Sequence, residues 1–240
     1  METLTPEKEL SFNKTSKPSN TATNDNNHII QLFNFDYNQK CTVIGTDEAG
    51  RGPAAGGVFA SAVCFHKKSK ELTKSLSILN DSKQLSKKNR EYLYDIIKNE
   101  TINSTVCIEV EEIEKINILQ ASLKAMRIAC QNVIDNLCDE KFMVLIDGNK
   151  LIKSFPYNQK YVIKGDSRSA SIAAASILAK VTRDRYMEKL DEEFPMYNWR
   201  KNAGYLTAEH IAAIDKYGLS PYHRPSFLKK HFSVAKTICK

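Results

Sequence analysis

Short apolar runs that end in an acid alternate along this chain with stretches of helical spacing, and that alternation constrains the fold more than any other feature. Val43-Ile44-Gly45-Thr46 runs into Asp47-Glu48, and Met143-Val144-Leu145-Ile146 runs into Asp147-Gly148. Strand-like segments cover residues 41–46, 57–65, 104–110, 142–146 and 161–163. Ser86 is placed to cap a helix that reaches Lys98, with Leu93, Ile96 and Ile97 inward. Helical spacing also marks residues 118–137 and 167–193, and Thr207 is placed to cap a helix that stops near Gly218. Ala173-Ala174-Ala175 in the long helix would let a neighbouring element approach closely. Strands interleaved with helices imply an α/β fold around one sheet.

Three acidic positions share one setting, the end of an apolar run or the start of a helix. Asp47-Glu48 precedes Ala49-Gly50-Arg51-Gly52-Pro53, Asp147-Gly148 follows residues 142–146, and Gly165-Asp166 opens the long helix. Strand ends on one edge of a sheet converge, and ligand sites collect there. Clustered carboxylates repel one another and stay ionised together cheaply only around a cation. Hard oxygen donors favour Mg2+ or Mn2+. Such ions can activate a water and stabilise the leaving oxygen in phosphodiester hydrolysis. Each position alone has a plainer explanation: surface acids before a turn, a turn dipeptide, a helix N-cap. Neighbours on a regular strand point to opposite faces. Asp47 and Glu48 are therefore expected to share one site only if the chain leaves strand geometry at Glu48, which the following glycines permit. Gly50 and Gly52 let backbone N–H groups approach a ligand, and Arg51 adds a planar cation suited to phosphate. Ser82 and Lys83, just ahead of Ser86, offer a hydroxyl and an ammonium for a phosphate contact. The plainer readings of these two segments are a Gly-rich turn with a solvated Arg and a capped helix with an exposed Lys.

Taken together, these blocks resemble ribonuclease HII. Thr46-Asp47-Glu48-Ala49-Gly50-Arg51-Gly52-Pro53 is similar to the family signature, and Leu145-Ile146-Asp147-Gly148-Asn149 to its second block. Lys164-Gly165-Asp166, with Ser171 to Lys180, is similar to the third. Asp81-Ser82-Lys83, Gly204-Tyr205 and Tyr222-His223-Arg224-Pro225-Ser226-Phe227 also match, so the resemblance covers residues 40–230 in order. It implies a ribonuclease H-like mixed five-stranded sheet flanked by helices in residues 38–195, and a C-terminal helical, substrate-binding lobe in 196–240. It implies Asp47, Glu48, Asp147 and Asp166 as the catalytic carboxylates, the first three as core metal ligands and Asp166 completing the site around a second ion. It implies that Gly50-Arg51-Gly52 reads the ribose 2′-OH through backbone groups and that Tyr205 marks the RNA-to-DNA junction. The 2′-OH is what tells the two nucleic acids apart at one sugar. The implied activity is cleavage dependent on Mn2+ or Mg2+, 5′ of ribonucleotides in RNA–DNA hybrids or singly embedded in duplex DNA, leaving 3′-OH and 5′-phosphate ends. The chain departs from the family pattern at Gly56-Gly57, Ala203 and Leu206, none of them a carboxylate. Arg51 and the short polar N-terminal stretch argue against the sister ribonuclease HIII. The lack of a separate DNA-binding module argues against an integrase-type transferase. The presence of all four acids argues against a non-catalytic nucleic-acid binder.

The balance of 35 basic against 28 acidic residues, a formal charge of +7, suits a polyanionic partner. Residues 1–27 are polar and are expected to be a disordered tail, with the folded domain beginning after residue 37. Within 28–37, Gln31-Leu32-Phe33-Asn34-Phe35 loosely resembles a peptide that docks on a DNA sliding clamp. The plainer reading is that these side chains pack on the domain. The six cysteines form no C-x-x-C pair and no Cys/His cluster of zinc-like spacing, which fits reduced thiols in a cytoplasmic protein. No apolar run is long enough to span a bilayer, and the N-terminus lacks a secretory pattern. With no heptad or obvious interface, the chain is expected to act as a monomer.

Overall fold

The computed structural model describes residues 21–66, 69–138 and 141–229. Its strands are β1 Thr42–Ala49, β2 Val58–Cys64, β3 Ile102–Ile108, β4 Phe142–Asp147 and β5 Gln159–Val162. They form one five-stranded sheet in the order β3-β2-β1-β4-β5. β1–β2 and β2–β3 are antiparallel, whereas β1–β4 and β4–β5 are parallel. This is the mixed five-stranded sheet that the family resemblance implies. The helices are α1 Thr21–Tyr37, α2 Lys70–Ser75, α3 Lys87–Glu100, α4 Val110–Ile116, α5 Ile118–Ile134, α6 Ala170–Glu193, α7 Trp199–Asn202 and α8 Ala208–Tyr217. Ser86 caps α3 and Thr207 caps α8, as their positions in the sequence predict. No helix of the described residues is long and apolar enough to cross a membrane.

Helix α5 covers one face of the sheet. Ala121, Ala125, Ala129 and Val133, four apart on one side, pack with Met126 and Cys130 over Ile44, Val58, Ala60, Ala62, Val144 and Ile146. Helix α6 covers the other face and is buried on all sides through its first half, because α1 and α3 close over it. Small residues make that possible. Gly45 on β1 faces α6 so closely that a Cβ there would lie 2.2 Å from the Ser171 carbonyl carbon. The C-terminal helices form a further cluster, in which Tyr197, Trp199 and Ile214 pack with Met187 and Leu190 of α6 and with Ala54 and Ala55.

The structure corrects the tail boundary at residue 37. Residues 21–37 are helical, and Ile29 and Leu32, each 1% exposed, lie in the core with α6. Asp36 fastens the end of this helix: it accepts hydrogen bonds from Ser169 Oγ at 2.5 Å, Ser171 N–H at 2.9 Å and Ser171 Oγ at 2.8 Å. The N-terminus of α6 presents unpaired N–H groups and a positive dipole end, so it holds a buried carboxylate well. Phe33 packs edge-on against Phe65 at 5.1 Å. The plainer reading of residues 31–35 is therefore correct, since their apolar side chains pack on the domain. Residues 1–20 of the expected tail lie outside the described residues. Leu32→Ala is expected to lower stability to urea by roughly 2–5 kcal/mol, as for other large-to-small core changes. A segment detached from the core would show no change.

Candidate active site

β1 and β4 run parallel in register from Thr42↔Phe142 to Thr46↔Ile146, and their pairing stops there. The next residue on each strand is an aspartate, so Asp47 and Asp147 emerge side by side at the carboxyl edge of the sheet. The expected break in strand geometry at Glu48 is not present. β1 stays paired with β2 through Asp47↔Ser61, Glu48↔Ala60 and Ala49↔Phe59. The side chains of Asp47 and Glu48 leave opposite faces, yet both border one space because the other edge of β1 is bare beyond Thr46. Asp166 arrives from a single 3-10 turn, Gly165–Ser167, ahead of α6. It is not the helix cap: Ser169 Oγ takes that role by accepting Ile172 N–H. Asp147 Oδ1 accepts Gly165 N–H at 2.7 Å and so ties this turn to the end of β4.

The acids are held together against their repulsion. Burial raises the Asp47 carboxyl well above its usual range, and Glu48, Asp147 and Asp166 add to the shift. A 2.7 Å bond from Glu48 N–H to Asp47 Oδ1 offsets part of it. Burial also raises Glu48, opposed by Arg51, whose guanidinium lies 3.1 Å from Oε1. Asp166 is pushed up to about 6, first by burial and then by Asp81 and Asp147. Burial pulls Lys83 down, but Asp81, Asp166, Asp47 and Asp147 outweigh it and leave the ammonium raised. This donor set of hard oxygens, crowded at an electrostatic cost that a divalent cation would relieve, fits Mg2+ or Mn2+. As placed, no three of these acids among the described residues meet closely enough to enclose an ion. Glu48 is turned onto Arg51 and Asp147 onto Gly165 N–H. Side-chain torsions set that spacing, whereas the sheet sets the convergence of the backbone.

Asp47, Glu48, Gly50, Arg51, Gly52, Ser82, Lys83, Asp147 and Tyr205 line one cavity of about 320 Å³. Asp166 is outside that lining and acts on it through its charge on Asp47 and Lys83. A larger cavity, about 1130 Å³, lies at the opposite end of β1 beside Lys40, Thr42 and Val43 and has no such gathering of acids. Sequence reasoning missed Ser176, Lys180 and Arg183, which also border the smaller cavity. Their spacing of four and three along α6 puts them on one helix face, and that was the available signal.

Two buried arginines shape the loop after β1. Arg183 is 2% exposed and donates to the carbonyls of Ala55, Gly57 and Ala203. Arg224 is fully buried and donates to those of Gly50, Pro53 and Gly56. Gly50 sits at φ 101° against Arg183, and a Cβ there would lie 2.2 Å from Nε. Tyr205, 53% exposed, lays its ring over Gly52, where a Cβ would come within 3.2 Å of Cε1.

The raised acids have a consequence for stability. A carboxyl whose folded pKa exceeds its unfolded value favours folding at low pH and loses that contribution as pH rises through the folded pKa. For Asp166 the window runs from 3.8 to about 6. In chelator, Asp166→Asn is therefore expected to raise stability at pH 7.5 by on the order of 1 kcal/mol after allowing for solvent screening, seen as a higher thermal midpoint. The gain should vanish near pH 3.5. A variant less stable than wild type at pH 7.5 would contradict the repulsion.

The ribonuclease HII family model matches residues 44–235. Ribonuclease HII of Rickettsia africae (strain ESF-5) is 49% identical over 199 residues, covering 82% of this chain and 97% of that protein. Ribonuclease H2 from Pyrococcus horikoshii OT3 superposes with a TM-score of 0.63 at 25% identity, covering 79% of this chain and 96% of that one. The ribonuclease HII of a PCNA complex from Archaeoglobus fulgidus shares the fold, with a TM-score of 0.62 at 22% identity over 76% of this chain and 93% of its own. The chain belongs to the ribonuclease HII family, metal-dependent endonucleases of the ribonuclease H type.

Proposed function

We propose that this chain hydrolyses the phosphodiester 5′ of ribonucleotides, in RNA–DNA hybrids and singly embedded in duplex DNA, leaving 3′-OH and 5′-phosphate ends. The observation that carries the reading is the convergence on one cavity of the Asp47/Asp147 pair, the Gly50-Arg51-Gly52 loop and Tyr205. Asp47, Glu48, Asp147 and Asp166 would hold Mg2+ or Mn2+, which supplies Lewis acidity and an activated water when bound. The backbone N–H groups of Gly50 to Gly52 are held open to a sugar by the arginine clamp behind them, where the 2′-OH can be read. Arg51 and Lys83 supply cations for the backbone phosphates, with the Ser82 hydroxyl beside them. The ring of Tyr205, over Gly52, would stack on the sugar at the RNA-to-DNA junction. A sliding clamp is a candidate partner by likeness to the Archaeoglobus fulgidus protein, through a surface other than the buried Leu32.

The test is a DNA duplex carrying one ribonucleotide, incubated with Mg2+ and with Mn2+. A single cut 5′ of the ribonucleotide is expected, and an uncut duplex or a cut at its 3′ side would reject the reading. Asp47→Asn preserves shape and removes a charge, so cleavage should fall by several orders of magnitude while substrate binding survives, because phosphate contacts dominate affinity. Turnover near wild type would remove Asp47 from the site. Tyr205→Phe gives up the hydrogen bond its hydroxyl would make to the 2′-OH, roughly a tenfold effect at most, and Tyr205→Ala should lose much more. Because the ring is half exposed, neither variant should show the stability loss of about 3–5 kcal/mol that follows truncation of a core aromatic. Full activity in Tyr205→Ala would reject its junction role.

A further inference from the structure

Behind Tyr205 lie two buried imidazoles whose hydrogen bonds admit one arrangement of protons. His223 Nδ1 lies 2.9 Å from Ser220 N–H, a group that only donates, so Nδ1 carries a lone pair and the ring proton sits on Nε2. That Nε2 lies 3.1 Å from His210 Nε2. His210 Nε2 also faces the indole N–H of Trp199 at 3.0 Å, again a pure donor. His210 Nε2 is therefore the acceptor, and its proton sits on Nδ1, which donates to the Tyr205 carbonyl at 2.9 Å. Both rings are neutral in this scheme. Burial and His210 hold His223 down to about 4, in keeping with that. An aromatic frame fixes the pair: Tyr197 stands edge-on to His223 at 4.6 Å and stacks on Trp199 at 5.0 Å.

We infer that His210 and His223 are positioning residues for Tyr205, forming a one-way relay from Ser220 N–H through both imidazoles to the Tyr205 carbonyl that holds its ring over Gly52. Tyr205 follows Gly204, which is buried at φ 83°, and its own N–H donates to the Asn202 carbonyl at 2.9 Å. Among the described residues, the Tyr205 carbonyl otherwise receives Thr207 N–H, at 2.9 Å. The relay supplies a second anchor from the buried side, so the exposed ring keeps its orientation without being enclosed. The inference rests on the junction role proposed for Tyr205.

Long-range 15N–1H correlation spectra of the wild-type protein read the tautomers directly. Protonation at Nδ1 of His210 and Nε2 of His223 is expected, and the other tautomer on either ring would overturn the relay. Two isosteres separate positioning from mere packing. His210→Asn keeps a donor at the Nδ1 position, whereas His210→Gln moves it to the Nε2 position. Cleavage of a single-ribonucleotide duplex should stay within about twofold in His210→Asn and fall by roughly three- to tenfold in His210→Gln, the worth of one hydrogen bond. Equal activity in the two variants would overturn the relay. In a Tyr205→Ala background, His210→Gln should have no further effect, and an undiminished effect there would overturn it as well. If Tyr205→Ala is impaired and His210→Gln is not, the relay alone falls. If Tyr205→Ala cleaves as wild type, the junction role falls and takes the relay with it.

Discussion

The site depends on where the parallel pairing of β1 and β4 stops. Thr46 and Ile146 are the last partners, and beyond them both strands carry acids with no neighbour on that edge. Had the pairing run one residue further, β4 would have covered the edge on which Glu48 and Asp47 meet. Had it stopped earlier, Asp147 would have lost the register that sets it beside Asp47. Small residues at the packing face then bring the third element close. Gly45 lets α6 ride on β1, and the turn ahead of α6 delivers Asp166.

Charge is distributed unevenly around this edge, and burial explains why. Burial first, and then neighbouring acids, raise Asp47, Glu48 and Asp166, while Lys83 is stabilised by the same field. Arg183 and Arg224 stand close by, yet their donors go to backbone carbonyls. Burial first, then Arg183, pulls Arg224 down to about 10, so it stays charged at neutral pH. A guanidinium spends its five donors in a rigid fork, which suits it to fixing several carbonyls of one loop at once. The loop of Gly50 to Gly57 therefore keeps its shape from behind, and its front remains open to a ligand.

The strands and the caps at Ser86 and Thr207 could be read in the sequence because their signals are local, an apolar run and a hydroxyl before a helix, whereas the set of four acids came from the family resemblance, each acid alone having a plainer reading. Helix α1 could not be read. Its core residues follow a long polar stretch and are too few to show a helical period, and the value of Asp36 depends on Ser169, 133 positions away. The two arginines were hidden for the same reason, since Arg224 and the Gly50 carbonyl are 174 positions apart. β3 begins two residues before the segment expected from 104, because most of its residues are half-buried and give a weak alternation. Glu48 was misjudged because the sequence shows a strand and its glycines but not the end of its partner.

The central claim is that the fold gathers four carboxylates against their repulsion in a way a divalent cation relieves. Thermal unfolding of wild type and Asp147→Asn, titrated with Mg2+ and Mn2+ at pH 7.5, tests it directly. Selective binding to the folded state raises stability by about 2.7 kcal/mol at a hundredfold excess over Kd. The account predicts a rise in the wild-type midpoint with either ion that is largely lost in Asp147→Asn. Equal shifts in both proteins, or none in wild type, would contradict it.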